Sequence, residues 1–248
     1  MKHRAFWFLT LFLGLHSPET SFAESAYGYK LFTQDHYDGW KINENGETLK
    51  SDGCCLFSFV HALQFAKRTN YNDTTLDELW QTYRRPSDTV SALENYTSYA
   101  EKNLGVSFKK NSKGSKELGT TQDQDLRNLF IDGYSLVVNN LTGHVLCAVD
   151  YAVCDSNGII INDDGKTIPG GGAMYILVAD SSPASSTFYP GRAYHDNVYS
   201  VSHGKMVKKG NYSYGTGNAA AAYWTKVNSL YVLRAIKGNW SGHSSLPG

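Results

Sequence analysis

The apolar residues of this 248-residue chain change their spacing once. Up to residue 132 they recur at helical intervals, as in Leu56, Phe59, Val60 and Leu63, or in LDELWQTYR and LRNLFI. From Tyr134 onward they come as short runs: YSLVVNN, GHVLCAVDYAV, AMYILVAD, NVYSVSH and SLYVLRAI. Those runs are rich in β-branched and aromatic residues and are bounded by Gly, Asn and Asp, which is the mark of strands. Helices first and strands afterwards predict an α+β domain, with N-terminal helices packed on a mostly antiparallel sheet.

The helix boundaries follow from local signals. Asp52 is a start signal for the first helix, which runs to about Arg68. A second begins at Thr75, where Thr-Leu-Asp-Glu fits a capping box. A third covers about 88–103 and stops at Gly105. A fourth begins at Thr121 with Thr-Gln-Asp-Gln and stops at Gly133.

The first residues stand apart from this pattern. MKHR is positive, AFWFLTLFLGL is an apolar run too short to span a bilayer, and Ser21 and Ala23 take the small-residue positions of a cleavage site. Residues 1–23 therefore read as a secretory signal cleaved after Ala23, with a single domain over 24–248 in a secreted or periplasmic setting. With 23 Lys plus Arg against 23 Asp plus Glu, the formal charge is zero and no basic field attracts a nucleic acid. No later run reaches the ~18 apolar residues that a membrane crossing needs, so no membrane partner is expected once the signal is removed.

Two adjacent cysteines, Cys54 and Cys55, sit between Gly53 and the first helical run. Core packing, a disulfide and a nucleophile are all open to them. Export permits disulfides with Cys147 or Cys154. A mature chain of this length buries a core without staples, however, and four cysteines alone are a weak sign of bridging. A cysteine in the first turn of a helix has backbone N–H groups and the positive dipole end beside it. Both favour the thiolate, which is the nucleophile.

A thiolate nucleophile needs an imidazole partner, and the imidazole needs an orienting group. Of the eight histidines, His144 follows Gly143 and opens the apolar strand VLCAVDY, where it can face a cleft while its neighbours pack. Asp180 ends AMYILVAD. If that strand pairs antiparallel with 144–151, the end of one lies beside the start of the other, and Asp180 can accept from the His144 ring.

GCCLFSFVHAL resembles the helix-opening cysteine segment of papain-like cysteine peptidases, and in particular the bacteriocin-processing, double-glycine group. LFIDGYSLVVNNLTGHVLCAVDY is similar to that group's helix, glycine, strand and Gly-His strand, and MYILVADSS to its strand ending in Asp. The resemblance covers about residues 50–182. It implies a papain-like fold and a Cys-His-Asp triad of Cys54, His144 and Asp180. Cys55 stands where the group has glycine, and a slip of one residue at the helix start would make it the nucleophile instead. The group also carries a polar side chain, often Gln, a few residues before the nucleophile. NENGETLKSDG contains no Gln, so Asn45 and Lys50 are the substitutes for an oxyanion donor.

The expected activity is that of a secreted thiol hydrolase cutting peptide bonds in a protein or peptide substrate, with no cofactor. The same triad would serve a cell-wall peptide amidase or an acyl transferase. A binding module that keeps the fold, with Cys54 tied to Cys147 or Cys154, is the non-enzymatic alternative. No Cys-X-X-Cys, His-Glu-X-X-His or nucleotide-binding glycine loop occurs, so no metal is expected. Residues 152–173, with CDSNGIIINDDGKTIPGGG, read as an inserted hairpin or flap near the site.

Overall fold

A computed structural model describes residues 25–26, 29–37, 48–49, 53–83, 89–139, 144–162, 168–181, 198–208 and 221–238. The signal segment 1–23, Asn45 and Lys50 lie outside the described residues. A two-stranded ladder, β1 (Ser25–Ala26) with β2 (Tyr29–Lys30), leads into a 3-10 turn at Gln34–Tyr37. Helix α1 (Cys54–Lys67) follows, then α2 (Asp73–Tyr83) and α3 (Thr89–Leu104).

Every residue of α1 from Cys54 to Ala66 is buried, so this is a core helix with no solvent face. Its polar side chains each find a partner elsewhere in the chain. Ser58 Oγ donates to the Val145 carbonyl at 2.9 Å, His61 Nε2 accepts from the Phe32 N–H at 2.8 Å, and Gln64 Oε1 accepts from the Tyr71 N–H at 2.9 Å. Spaced three apart, these side chains tie α1 to the sheet, to the N-terminal segment and to the loop before α2. Arg68 ends the helix in the left-handed region, at φ 53°.

Two helix starts differ from expectation. The second helix opens at Asp73, because the Asn72 side chain accepts the Thr75 N–H at 3.1 Å and takes the capping role. The fourth helix, α4 (Asp123–Ile131), opens after Thr121, which belongs instead to β3 (Gly119–Gln122). Pairing of β3 with the last strand overrides the local capping pattern there.

The remaining strands are β4 (Tyr134–Asn139), β5 (Val145–Cys154), β6 (Ile160–Ile161), β7 (Ala173–Asp180), β8 (Tyr199–Ser202), β9 (Lys205–Lys208), β10 (Ala221–Val227) and β11 (Ser229–Lys237). They order as β3-β11-β4-β5-β7-β10-β8-β9 with β6 beside β5, and every described pairing is antiparallel. The domain is α+β. One face of the sheet packs on α1 through Val137, Val145, Cys147 and Leu177, and α2 and α3 share the same core. The other packs on α4 through Leu136, Leu146, Ala148 and Val178. An irregularity between Ala148 and Asp150 flips the alternation, so Tyr151 and Val153 face α4 although Val145, Cys147 and Val149 face α1. Buried Arg234 on β11 holds α3 by donating to Thr97 Oγ1 at 3.0 Å and to Glu94.

The stretch 152–173 is partly a hairpin, since β6 folds back on Val153 and Cys154. Its described residues beyond Cys154 lie away from His144. Strand β5 has ten residues, and at ~3.3 Å each its Cys154 end lies ~30 Å from its Val145 end.

Gly53 is required for close approach and not for an unusual backbone angle. Its φ is −74°, open to any residue, but an added Cβ would stand 2.3 Å from the Leu49 carbonyl oxygen and 2.7 Å from Phe57 Cε2. Gly53→Ala is expected to cost about 2–3 kcal/mol, through displacement of the start of α1 against a buried ring. Urea unfolding measures this, and an unchanged midpoint would show that the two segments part freely.

Candidate active site

The front end of α1 and one end of the sheet meet where three side chains converge. Cys54 is the first residue of α1. The turn before it closes by Gly53 N–H donating to the Leu49 carbonyl at 2.9 Å, and Phe57 N–H donates to the Gly53 carbonyl at 3.0 Å. Amides of a helix's first turn have no acceptor within their own helix, so they are directed at whatever stands before it. His144 stands one residue ahead of β5, and Asp180 is the last residue of β7. Cys147 pairs with Ala179, which brings the start of β5 and the end of β7 to the same edge.

His144 Nε2 and Asp180 Oδ1 are 2.8 Å apart, and both residues are 0% exposed. With Nε2 given to Asp180, Nδ1 is the ring nitrogen left for the thiol. Burial by itself opposes a charge on His144. The Asp180 carboxylate, through its charge and its hydrogen bond, outweighs this, and the nearby Cys54 thiol pushes in the same direction. The His144 pKa is pushed up to about 10. Cys54, at 7% exposure, is thus the cysteine beside His144.

The other thiols have different surroundings. Cys55 faces α3, where burial and then the Cys55 thiol push the Tyr96 phenol up. Burial pushes the Cys147 thiol up, and burial with Asp155 pushes Cys154 up to about 11. All four cysteines are free, so the expected alternative of Cys54 bridged to Cys147 or Cys154 is not found.

Two site residues carry no signal in the sequence. The Tyr223 hydroxyl, on β10, donates to Asp180 Oδ2 at 3.0 Å and fixes the far side of the carboxylate. Gln34 is buried twenty residues ahead of Cys54. Its Nε2 donates to the Leu49 carbonyl at 3.2 Å, and its Oε1 accepts from Ser181 Oγ at 2.7 Å. Its own N–H donates to the Ser181 carbonyl at 3.1 Å. The Gln34 carboxamide therefore joins the turn before Cys54 to the residue after Asp180. The segment 29–37 crosses from helix to sheet at this edge. Among the described residues no group of three or more His, Cys, Asp and Glu side chains is placed to hold a metal ion.

Compared with protein-family models, with curated proteins and with solved structures, the chain matches none.

Proposed function

We propose that the protein is a thiol hydrolase of papain-like architecture that cleaves peptide bonds. The single observation that carries this reading is the buried chain of Cys54, His144 and Asp180, with Cys54 opening a helix. With its pKa pushed up to about 10, His144 holds a proton at neutral pH, and the nucleophile is a Cys54 thiolate beside that imidazolium. The sulfur attacks the peptide carbonyl, and the first-turn N–H groups of α1 are the donors for the oxyanion. His144 then gives its proton to the departing amine as the C–N bond breaks, leaving a thioester. Water attacks the thioester with His144 taking its proton, and the acid and the thiol are released. Asp180, held by Tyr223, keeps the ring oriented and balances its charge throughout.

Treatment with an iodoacetamide probe followed by mass spectrometry is expected to show one fast site, Cys54, with Cys147 and Cys154 slow because burial holds their protons. Hydrolysis of a denatured protein should vanish in Cys54→Ala and survive in Cys55→Ala. Equal, sluggish labelling of every cysteine would sink the reading. Cleavage of purified peptidoglycan but not of denatured protein would move the substrate to cell-wall peptide while leaving the chemistry intact.

A further inference from the structure

We propose that Ser58 is the positioning residue that sets the reach between the Cys54 sulfur and the His144 ring. The inference rests on the hydrolase reading and deepens it. Ser58 is fully buried one helical turn after Cys54, on the same side of α1, since residues four apart stack along a helix. Its hydroxyl donates at 2.9 Å to the carbonyl of Val145, the residue next to His144. One bond therefore joins the turn below the nucleophile to the residue beside the base.

Apolar packing also joins α1 to β5. Phe57, Phe59 and Val60 belong to the same core as Val145, Cys147 and Val149. Close packing of these side chains holds α1 against β5. The hydrogen bond adds a directional restraint at the one point next to His144. The pairing of sulfur with imidazole needs that restraint, because a displacement of ~1 Å can cost ~100-fold in rate. The other buried polar side chains of α1 are directed elsewhere in their described bonds, His61 to Phe32 and Gln64 to Tyr71. A buried serine is costly unless its hydroxyl is used, and here the use is beside the site.

The test separates positioning from stability. Wild type, Ser58→Ala, Ser58→Thr and Thr97→Val are alkylated from about pH 5 to about pH 9, with Cys54 modification followed by mass spectrometry and Tm recorded for each. Thr97 is a buried hydroxyl on α3 that donates to the Leu93 carbonyl and accepts from Arg234, so Thr97→Val removes comparable bonds away from the reacting groups. Ser58→Ala is expected to slow Cys54 alkylation about 10- to 100-fold near pH 6, and to change the pH dependence of that rate. Ser58→Thr, which keeps the hydroxyl, should recover most of the rate. Thr97→Val should lower Tm and leave both rate and profile alone. A wild-type profile in Ser58→Ala, or an equal loss in Thr97→Val, would overturn the assignment. Failure of the hydrolase reading looks different. Wild-type Cys54 then labels no faster than Cys147 at any pH, and the Ser58 proposal falls with it.

Discussion

His144→Gln is expected to slow alkylation of Cys54 by ~100- to 1,000-fold near neutral pH and to abolish measurable peptide hydrolysis. Positioned acid–base groups contribute about that much, and here one ring serves as both base and acid. The substitution keeps a polar side chain of similar size that can still face Asp180, and Tm recorded beside the rate separates loss of folding from loss of the proton carrier. Asp180→Asn should cost less than removal of the ring, because it disturbs orientation and charge without removing the proton carrier. The same residue predicts a stability profile. Folding raises the His144 pKa from 6.5 to about 10, so the folded state binds the extra proton more tightly than the unfolded chain. That contribution is whole at and below about pH 6.5 and is lost as pH rises through about 10. Chemical denaturation of wild type should therefore weaken between those values relative to His144→Gln. Curves that stay parallel across this window, together with unimpaired alkylation in the variant, would remove His144 from the site.

The change of hydrophobic period made the architecture readable. Five strands follow the runs that mark them, and AMYILVAD matches β7 residue for residue. Strand β10 is not readable in that way. Its sequence, AAYWTKV, continues an alanine run that favours helix, and pairing with Met174–Asp180 of β7 settles it as a strand. Tyr223 lies on that strand, so the partner of Asp180 was hidden with it. The cysteine, histidine and aspartate were legible because each sits at the edge of a regular element, where pattern and chemistry coincide. Ser58 and Gln34 carry no such mark. A serine within a helix and a glutamine in a turn acquire meaning only when distant segments meet, at Val145 for one and at Leu49 and Ser181 for the other. A glutamine sought a few residues before the nucleophile by sequence is absent, and Gln34, which bonds to Leu49 and Ser181, lies twenty residues earlier.

Acid should unfold the wild type sooner than His61→Gln. His61 is fully buried, stacks on Phe32 with ring centroids 6.0 Å apart, and accepts the Phe32 N–H through Nε2. An imidazolium has no acceptor nitrogen, so protonation breaks that bond as well as burying a charge. Burial lowers the His61 pKa from 6.5 to about 3, and the nearby Asp180 charge offsets only part of this. Between those values the unfolded chain binds a proton that the folded chain refuses. Stability is therefore held above about pH 6.5 and is lost as pH falls toward 3. At about 1.4 kcal/mol per pH unit, the loss reaches roughly 3 kcal/mol at pH 4. Glutamine at this position can still accept from Phe32 but does not titrate, so its stability should not share the decline. Urea unfolding of both proteins near pH 7, 5 and 4 measures the difference, in which carboxylates common to both cancel. Phe32 lies two residues before Gln34, whose carboxamide joins Leu49 to Ser181. Acid should consequently loosen the segment 31–37 and the edge of the site together, with alkylation of Cys54 falling in step with stability in wild type and later in His61→Gln. Unfolding free energies that differ by the same amount at every pH would show that His61 is a packing residue and nothing more.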